Sequence, residues 1–106
     1  MRTPKPRWRL KYEPKAERTM LALWLDARDR AAITEASADV DATLAADPRD
    51  VGESRLAFED ATGFRADVRV AFFGPLKVDF AFSEAKREVT VTSVARARPG
   101  PTERRD

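Results

Sequence analysis

The chain predicts an α+β fold: two consecutive helices packed on one face of an antiparallel sheet, in the order β–α–α–β–β–β. Three observations predict it. The hydrophobic period is 2 over residues 7–12, about 3.6 from Lys15 to Ala46, and 2 again from Arg65 to about Ala95. The helical stretch is broken once, near Asp29, by a link so short that the helices must fold back as a hairpin, the favoured arrangement, or continue with a kink. The second period-2 stretch is interrupted by turn-sized segments, Gly74-Pro75 and Glu84-Ala85-Lys86-Arg87. At 106 residues there is room for one hydrophobic core. One domain is therefore expected over 7–98, with a loose arm at 1–6 and a loose tail at 99–106.

Each element has a local reason. Trp8, Leu10 and Tyr12 alternate with Arg7, Arg9 and Lys11, the pattern of a half-buried strand. Glu13-Pro14 breaks it, and Pro14 suits the first turn of a helix, where Glu17 adds favourable charge. Ala16, Met20, Leu23, Trp24, Ala27 and Ala31 then recur at helical steps, with Leu21 and Leu25 widening the stripe. Asp29 can cap a second helix running from about Ala31 to Ala46, whose inner face carries Ile33, Ala36, Val40 and Leu44. Asp47-Pro48 ends it, because a residue before proline avoids the α region.

Residues 49–64 are punctuated by Gly52 and Gly63, and Leu56-Ala57-Phe58 reads as either a short strand or a docked loop. Ala66, Val68, Val70 and Phe72 then alternate with Arg65, Asp67, Arg69 and Ala71. Leu76, Val78, Phe80 and Phe82 alternate with Lys77, Asp79, Ala81 and Ser83, and Val89 and Val91 lead a last strand. The expected core contains Leu10, Met20, Leu23, Trp24, Val40, Leu44, Val70, Val78, Phe80 and Val91. Trp8 and Trp24 read as core anchors and Tyr12 as a core or rim aromatic. Phe72, Phe73, Phe80 and Phe82 also read as core, with Phe73, out of phase with its neighbours, the one candidate for a surface aromatic.

Composition excludes several chemistries. There is no cysteine and no histidine, so disulfides, thiolate catalysis, cysteine zinc sites and the Ser–His–Asp arrangement are all ruled out. No side chain has an unperturbed pKa near neutrality. The glycines are scattered and form no phosphate-cradling loop. Asp39, Asp41, Asp47 and Asp50 read as a solvated acidic face, since positions two apart on a helix do not face each other. Neither a metal nor a cofactor is called for. No apolar run approaches the ~20 residues of a membrane helix, and the basic N-terminus lacks an apolar signal region, so a cytoplasmic location is expected.

The net charge of +2 hides a polarity. Residues 1–18 are strongly basic, 19–62 acidic and 63–98 basic again. A basic surface attracts phosphate or an acidic segment by salt-dependent electrostatics.

The order and spacing of these elements, with their local wording, resembles the RelE/ParE superfamily of small bacterial toxins, the plasmid-stabilisation proteins. The runs Leu21-Ala22-Leu23-Trp24-Leu25-Asp26-Ala27-Arg28-Asp29-Arg30-Ala31-Ala32-Ile33-Thr34 and Leu44-Ala45-Ala46-Asp47-Pro48-Arg49-Asp50-Val51-Gly52-Glu53-Ser54-Arg55 carry the likeness, with Gly74-Pro75-Leu76-Lys77-Val78 and Val89-Thr90-Val91.

The resemblance implies a toxin of a type II toxin–antitoxin pair, with a cognate antitoxin as partner and either ribosome-bound mRNA or DNA gyrase as target. Nucleolytic members hold mRNA with basic side chains along the sheet and cleave it without a metal. On that pattern Arg65, Arg69 and Arg96 are the candidate catalytic residues. Arg7, Arg9, Lys11, Lys77 and Arg98 are the candidates for nucleic-acid or antitoxin binding. Arg65, Arg69 and Lys77 lie on the polar phase of their strands and are expected to share a sheet face. Fixed guanidinium groups suit the task, because they stabilise charge at a scissile phosphate. The resemblance also implies a C-terminal tyrosine or histidine that assists cleavage, and the chain departs from it, having neither after Val94. That departure keeps two further readings open: a gyrase-directed toxin without nuclease activity, and a catalytically silent protein-binding member.

Overall fold

A computed structural model of the chain describes residues 7–59 and 65–97, the backbone alone at 56–59 and 65–66. The elements run β1 (Arg9–Tyr12), α1 (Pro14–Asp26), α2 (Arg30–Ala46), β2 (Glu53–Glu59), β3 (Arg65–Phe73), β4 (Leu76–Ser83) and β5 (Glu88–Arg96). The arm 1–6, the tail 99–106 and Arg98 lie outside the described residues.

The five strands form one sheet in the order β1-β5-β4-β3-β2. Strands β2 to β5 form an antiparallel meander, and β1 lies parallel to β5 at the edge. The α+β plan is the expected one, with two additions. Leu56-Ala57-Phe58 belongs to a full strand, and the sheet is mixed because the α1–α2 hairpin returns the chain across the sheet face.

The helix pair is built from local signals. Pro14 opens α1 and Glu17 lies in its first turn. Asp29 is the N-cap of α2, its carboxylate accepting a 3.1 Å hydrogen bond from the Ala32 amide. Arg30 closes the joint from the other side. Its guanidinium donates to the Trp24 and Leu25 carbonyls at 3.1 and 3.0 Å and stacks 4.6 Å over the Trp24 ring. The Trp24 indole in turn donates to the Thr34 hydroxyl.

The core lies between the helices and one sheet face. Ile33, Ala36, Val40 and Leu44 of α2 and Ala16 of α1 are buried against Val78, Phe80, Val89 and Val91. Leu10, Met20, Leu23 and Trp24 are half-buried at its margin. Trp8 is 3% exposed and meets Phe82 edge-on, with ring centroids 5.7 Å apart. Full burial of each large side chain contributes ~1.5–3 kcal/mol, so this face dominates stability.

Two local devices decide which side chains reach that face. The Gly74-Pro75 connection is two residues long, so Phe73 pairs with Leu76 and both lie on the helix side. That parity carries through β3: Asp67, Arg69, Ala71 and Phe73 face the helices, and Val68, Val70 and Phe72 face away. The expectation for β3 is thereby inverted. Phe73 packs on the core, and Phe72 is 64% exposed on the open face. Val70 is buried as expected, but on the open face. In β5 a bulge at Thr92 shifts the buried phase from Val89 and Val91 to Val94.

Candidate functional site

The inverted phase of β3 separates the predicted basic residues. Arg69 does not share a face with Lys77. Its guanidinium points to the helix side and donates to the carbonyls of Val51 and Gly52, at 2.8 and 2.9 Å. Both of those donors are engaged in holding the segment that enters β2. Arg65 sits in β3 opposite Glu59, with its side chain outside what the structure describes.

Gly52 explains why that segment needs an anchor. It adopts φ +70°, and a Cβ there would collide with the Val70 carbonyl oxygen. The close approach starts β2 beside β3, pairing Glu53 with Val70. A bulge follows between Ser54 and Leu56, leaving Arg55 without a register partner.

These features shape a depression of about 410 Å³ on the open face, at the end of the sheet where β3 turns into β4. Val70 and Phe72 of β3, Lys77 of β4, and Ala95 and Arg96 of β5 line it, and Glu53 and Arg55 of β2 close it. Lys77 is the cross-strand partner of both Phe72 and Ala95, so the three share the open face. Arg96 pairs with Leu76 and so has the helix-side phase, bordering the depression from the end of β5. The lining of the depression holds three cations and one carboxylate around a partly apolar floor.

Arg9 and Lys11 lie elsewhere. They are on the open phase of β1, and both form ion pairs with Glu88, at 3.3 and 3.8 Å. Arg9 pairs with Glu88, which pairs with Ser83, six residues along β4 from Lys77. At about 3.3 Å per residue this puts the two groups ~20 Å apart along the strands. Arg7 is exposed just before β1.

Tyr12 is on the opposite side of the sheet from the depression. Its hydroxyl donates a 2.6 Å hydrogen bond to Asp41 of α2. Burial first, then the bond and the charge of Asp41, hold its pKa well above the ordinary value of a phenol. Two of the four aspartates read as a solvated face have partners: Asp41 takes this bond, and Asp47 is clasped by Arg49 at 2.9 and 2.7 Å. Those Arg49 hydrogen bonds hold the Asp47 carboxyl below the usual carboxylate range.

Of the predicted site residues, the structure brings together Lys77 and Arg96. Glu53, Arg55 and Phe72 were not singled out by sequence reasoning. The length of the Gly74-Pro75 turn carried the signal for Phe72. Nothing comparable marked Arg55, whose place depends on a bulge. No helix of the described residues is long and apolar enough to cross a membrane.

No family model matches the chain, and no curated protein matches it in sequence. Among solved structures, it is similar to a chain of the archaeal RelE–RelB complex from Pyrococcus horikoshii OT3. The TM-score is 0.60, with 84% of this chain and 93% of that chain covered at 12% sequence identity. At that identity the likeness is one of fold, and the helix pair on its mixed five-stranded sheet is a RelE-like fold.

Proposed function

We propose that this chain is the toxin-like half of a type II toxin–antitoxin pair and acts on mRNA at the ribosome through the open-face depression. The observation that carries this reading is that Arg55, Lys77 and Arg96 all line one depression at the end of the sheet in a RelE-like fold, Lys77 from the open face and Arg96 from its border. A related structure contains RelE together with RelB, which supports a protein partner for this chain as well.

The chemistry available there is metal-independent. A ribose 2′-oxygen attacks the adjacent phosphorus, the bond from phosphorus to the 5′-oxygen breaks, and the products are a 2′,3′-cyclic phosphate and a 5′-hydroxyl. Arg96 and Lys77 stabilise the charge that builds on the phosphoryl oxygens. Glu53 is the carboxylate lining the depression and is the candidate acceptor for the 2′-hydroxyl proton, while the leaving 5′-oxygen takes its proton from solvent water. Arg69 acts through the Val51–Gly52 segment and is a positioning residue. Arg65 and Arg98 remain candidates as additional cations.

A second reading, binding without cleavage, is favoured by one observation. The sole tyrosine is committed to Asp41 on the far side of the sheet, and the chain has no histidine. A gyrase-directed toxin or a silent protein-binding module would need no proton-transfer group. Co-expression with the product of the neighbouring open reading frame tests the pair, with co-purification as the expected result. Growth arrest on expression of the chain alone, relieved by that product, separates a live toxin from a silent member.

A further inference from the structure

Phe72 is the most exposed of the large apolar side chains among the described residues, at 64%, and it lies on the open sheet face beside Val70, Lys77 and Ala95. It does not belong to the core, which Phe73 joins instead. Its cross-strand partner is Lys77, and both line the depression with Arg55 and Arg96. An aromatic ring bordered by cations on a concave strand surface matches the needs of an unpaired nucleotide. The cations follow the phosphates, and the ring face takes the base.

Resting on the reading of the depression as an RNA-binding surface, we propose that Phe72 is a base-stacking platform and that the depression binds single-stranded nucleic acid irrespective of base identity. Charge complementarity and the exposed ring together argue for this occupant: an acidic peptide matches the charge but brings no base to stack on Phe72. Three cations against one carboxylate favour a polyanion, and a duplex has no free base face to offer Phe72. Every base has a π-face, so stacking does not discriminate between them. Glu53 is the one acceptor side chain lining the depression, and Arg55, Lys77 and Arg96 are the cations that follow the phosphates.

The test is equilibrium binding of the full chain to a short oligouridylate, an oligoadenylate, a duplex of the two and an abasic strand of equal length, across a salt series. The parent should bind both single strands with similar affinity and the duplex more weakly. Phe72→Ala should weaken single-strand binding about 5- to 150-fold, the range expected for loss of one stacked base. Phe72→Trp should retain binding, and Phe72→Leu should behave like the alanine variant. Against the abasic strand, Phe72→Ala and parent should be equal. The salt slope should stay unchanged in Phe72→Ala and fall by about 0.7 in Lys77→Ala.

If Lys77→Ala weakens binding but Phe72→Ala does not, the platform is refuted while the RNA-binding surface stands. If the parent binds no single strand even at low salt, both fail. If Phe72→Ala leaves RNA binding intact but abolishes co-purification with the neighbouring-frame protein, Phe72 is a protein contact and the proposal is overturned.

Discussion

The Tyr12 hydroxyl donates to Asp41 at 2.6 Å, tying edge strand β1 to helix α2 on the helix side of the sheet. The bond fixes the phenol in its neutral form, because burial and the neighbouring carboxylates of Asp41 and Glu17 disfavour the phenolate. The unfolded chain ionises this group near pH 10 and the folded chain does not. The unfolded state therefore loses the proton first. Stability from Tyr12 is complete below pH 10 and declines as pH rises beyond it. Tyr12→Phe should cost about 1 kcal/mol at neutral pH and flatten the alkaline limb of a stability–pH curve. Chemical denaturation at pH 7 and pH 11 measures both effects, and an unchanged alkaline limb would refute the assignment.

Gly52 and Gly74 both have positive φ, at +70° and +56°, but they differ in surroundings. A Cβ at Gly74 meets only Ala36 Cβ at 3.7 Å, an ordinary contact. A Cβ at Gly52 runs into the backbone of β3. Gly74→Ala should cost ~1 kcal/mol from backbone strain alone, and Gly52→Ala at least about twice that. Thermal melts of the two variants give the order, and equal losses would show that β2 does not need the close approach.

Arg69, Lys77 and Arg96 should behave differently when truncated. Arg69→Ala removes two hydrogen bonds from a charged donor to backbone carbonyls and should cost about 1–2 kcal/mol, discounted for partial exposure. Lys77→Ala and Arg96→Ala touch no such bond and should stay within ~0.5 kcal/mol of the parent. Denaturant midpoints decide it, and a parent-like Arg69→Ala would reopen that arginine as a direct contact.

Association with an acidic partner segment should draw on the open face, where Arg9 and Lys11 share the single carboxylate Glu88. On-rates should fall as salt rises, because the Debye length shrinks from ~30 Å at 0.01 M to ~8 Å at 0.15 M. The double variant Arg9→Glu/Lys11→Glu should associate more slowly, with little change in off-rate. Stopped-flow mixing with the co-purified partner measures this, and an on-rate indifferent to salt would contradict it.

Much of the fold was legible in the sequence because its signals are local. Pro14, Asp29 and Asp47-Pro48 mark helix ends by their own stereochemistry, and all three stand where expected. β2 was ambiguous because the bulge between Ser54 and Leu56 breaks its alternation. The face of β3 was misread for a different reason. Its even positions are apolar and its odd ones largely charged, yet the two-residue turn, with Leu76, Val78 and Phe80 locked in the core, forces the odd set inward. Arg69 is accommodated there by carbonyls that only the tertiary fold supplies. Of the site, Lys77 and Arg96 could be read from charge and position. The depression that joins them to Phe72 and Arg55 could not, since it depends on the register of four strands.

Action of the open-face depression on ribosome-bound mRNA, as proposed, leaves its mark on the mRNA itself. The most direct measurement is primer extension on an mRNA in a cell-free translation reaction, with the parent chain and with Lys77→Ala/Arg96→Ala. New 5′ ends should arise within the translated region for the parent, absent when translation is blocked and strongly reduced in the double variant, whose fold and melting temperature should match the parent's. Cleavage by the double variant equal to the parent's, or an mRNA left intact by a parent that still arrests growth, would contradict it.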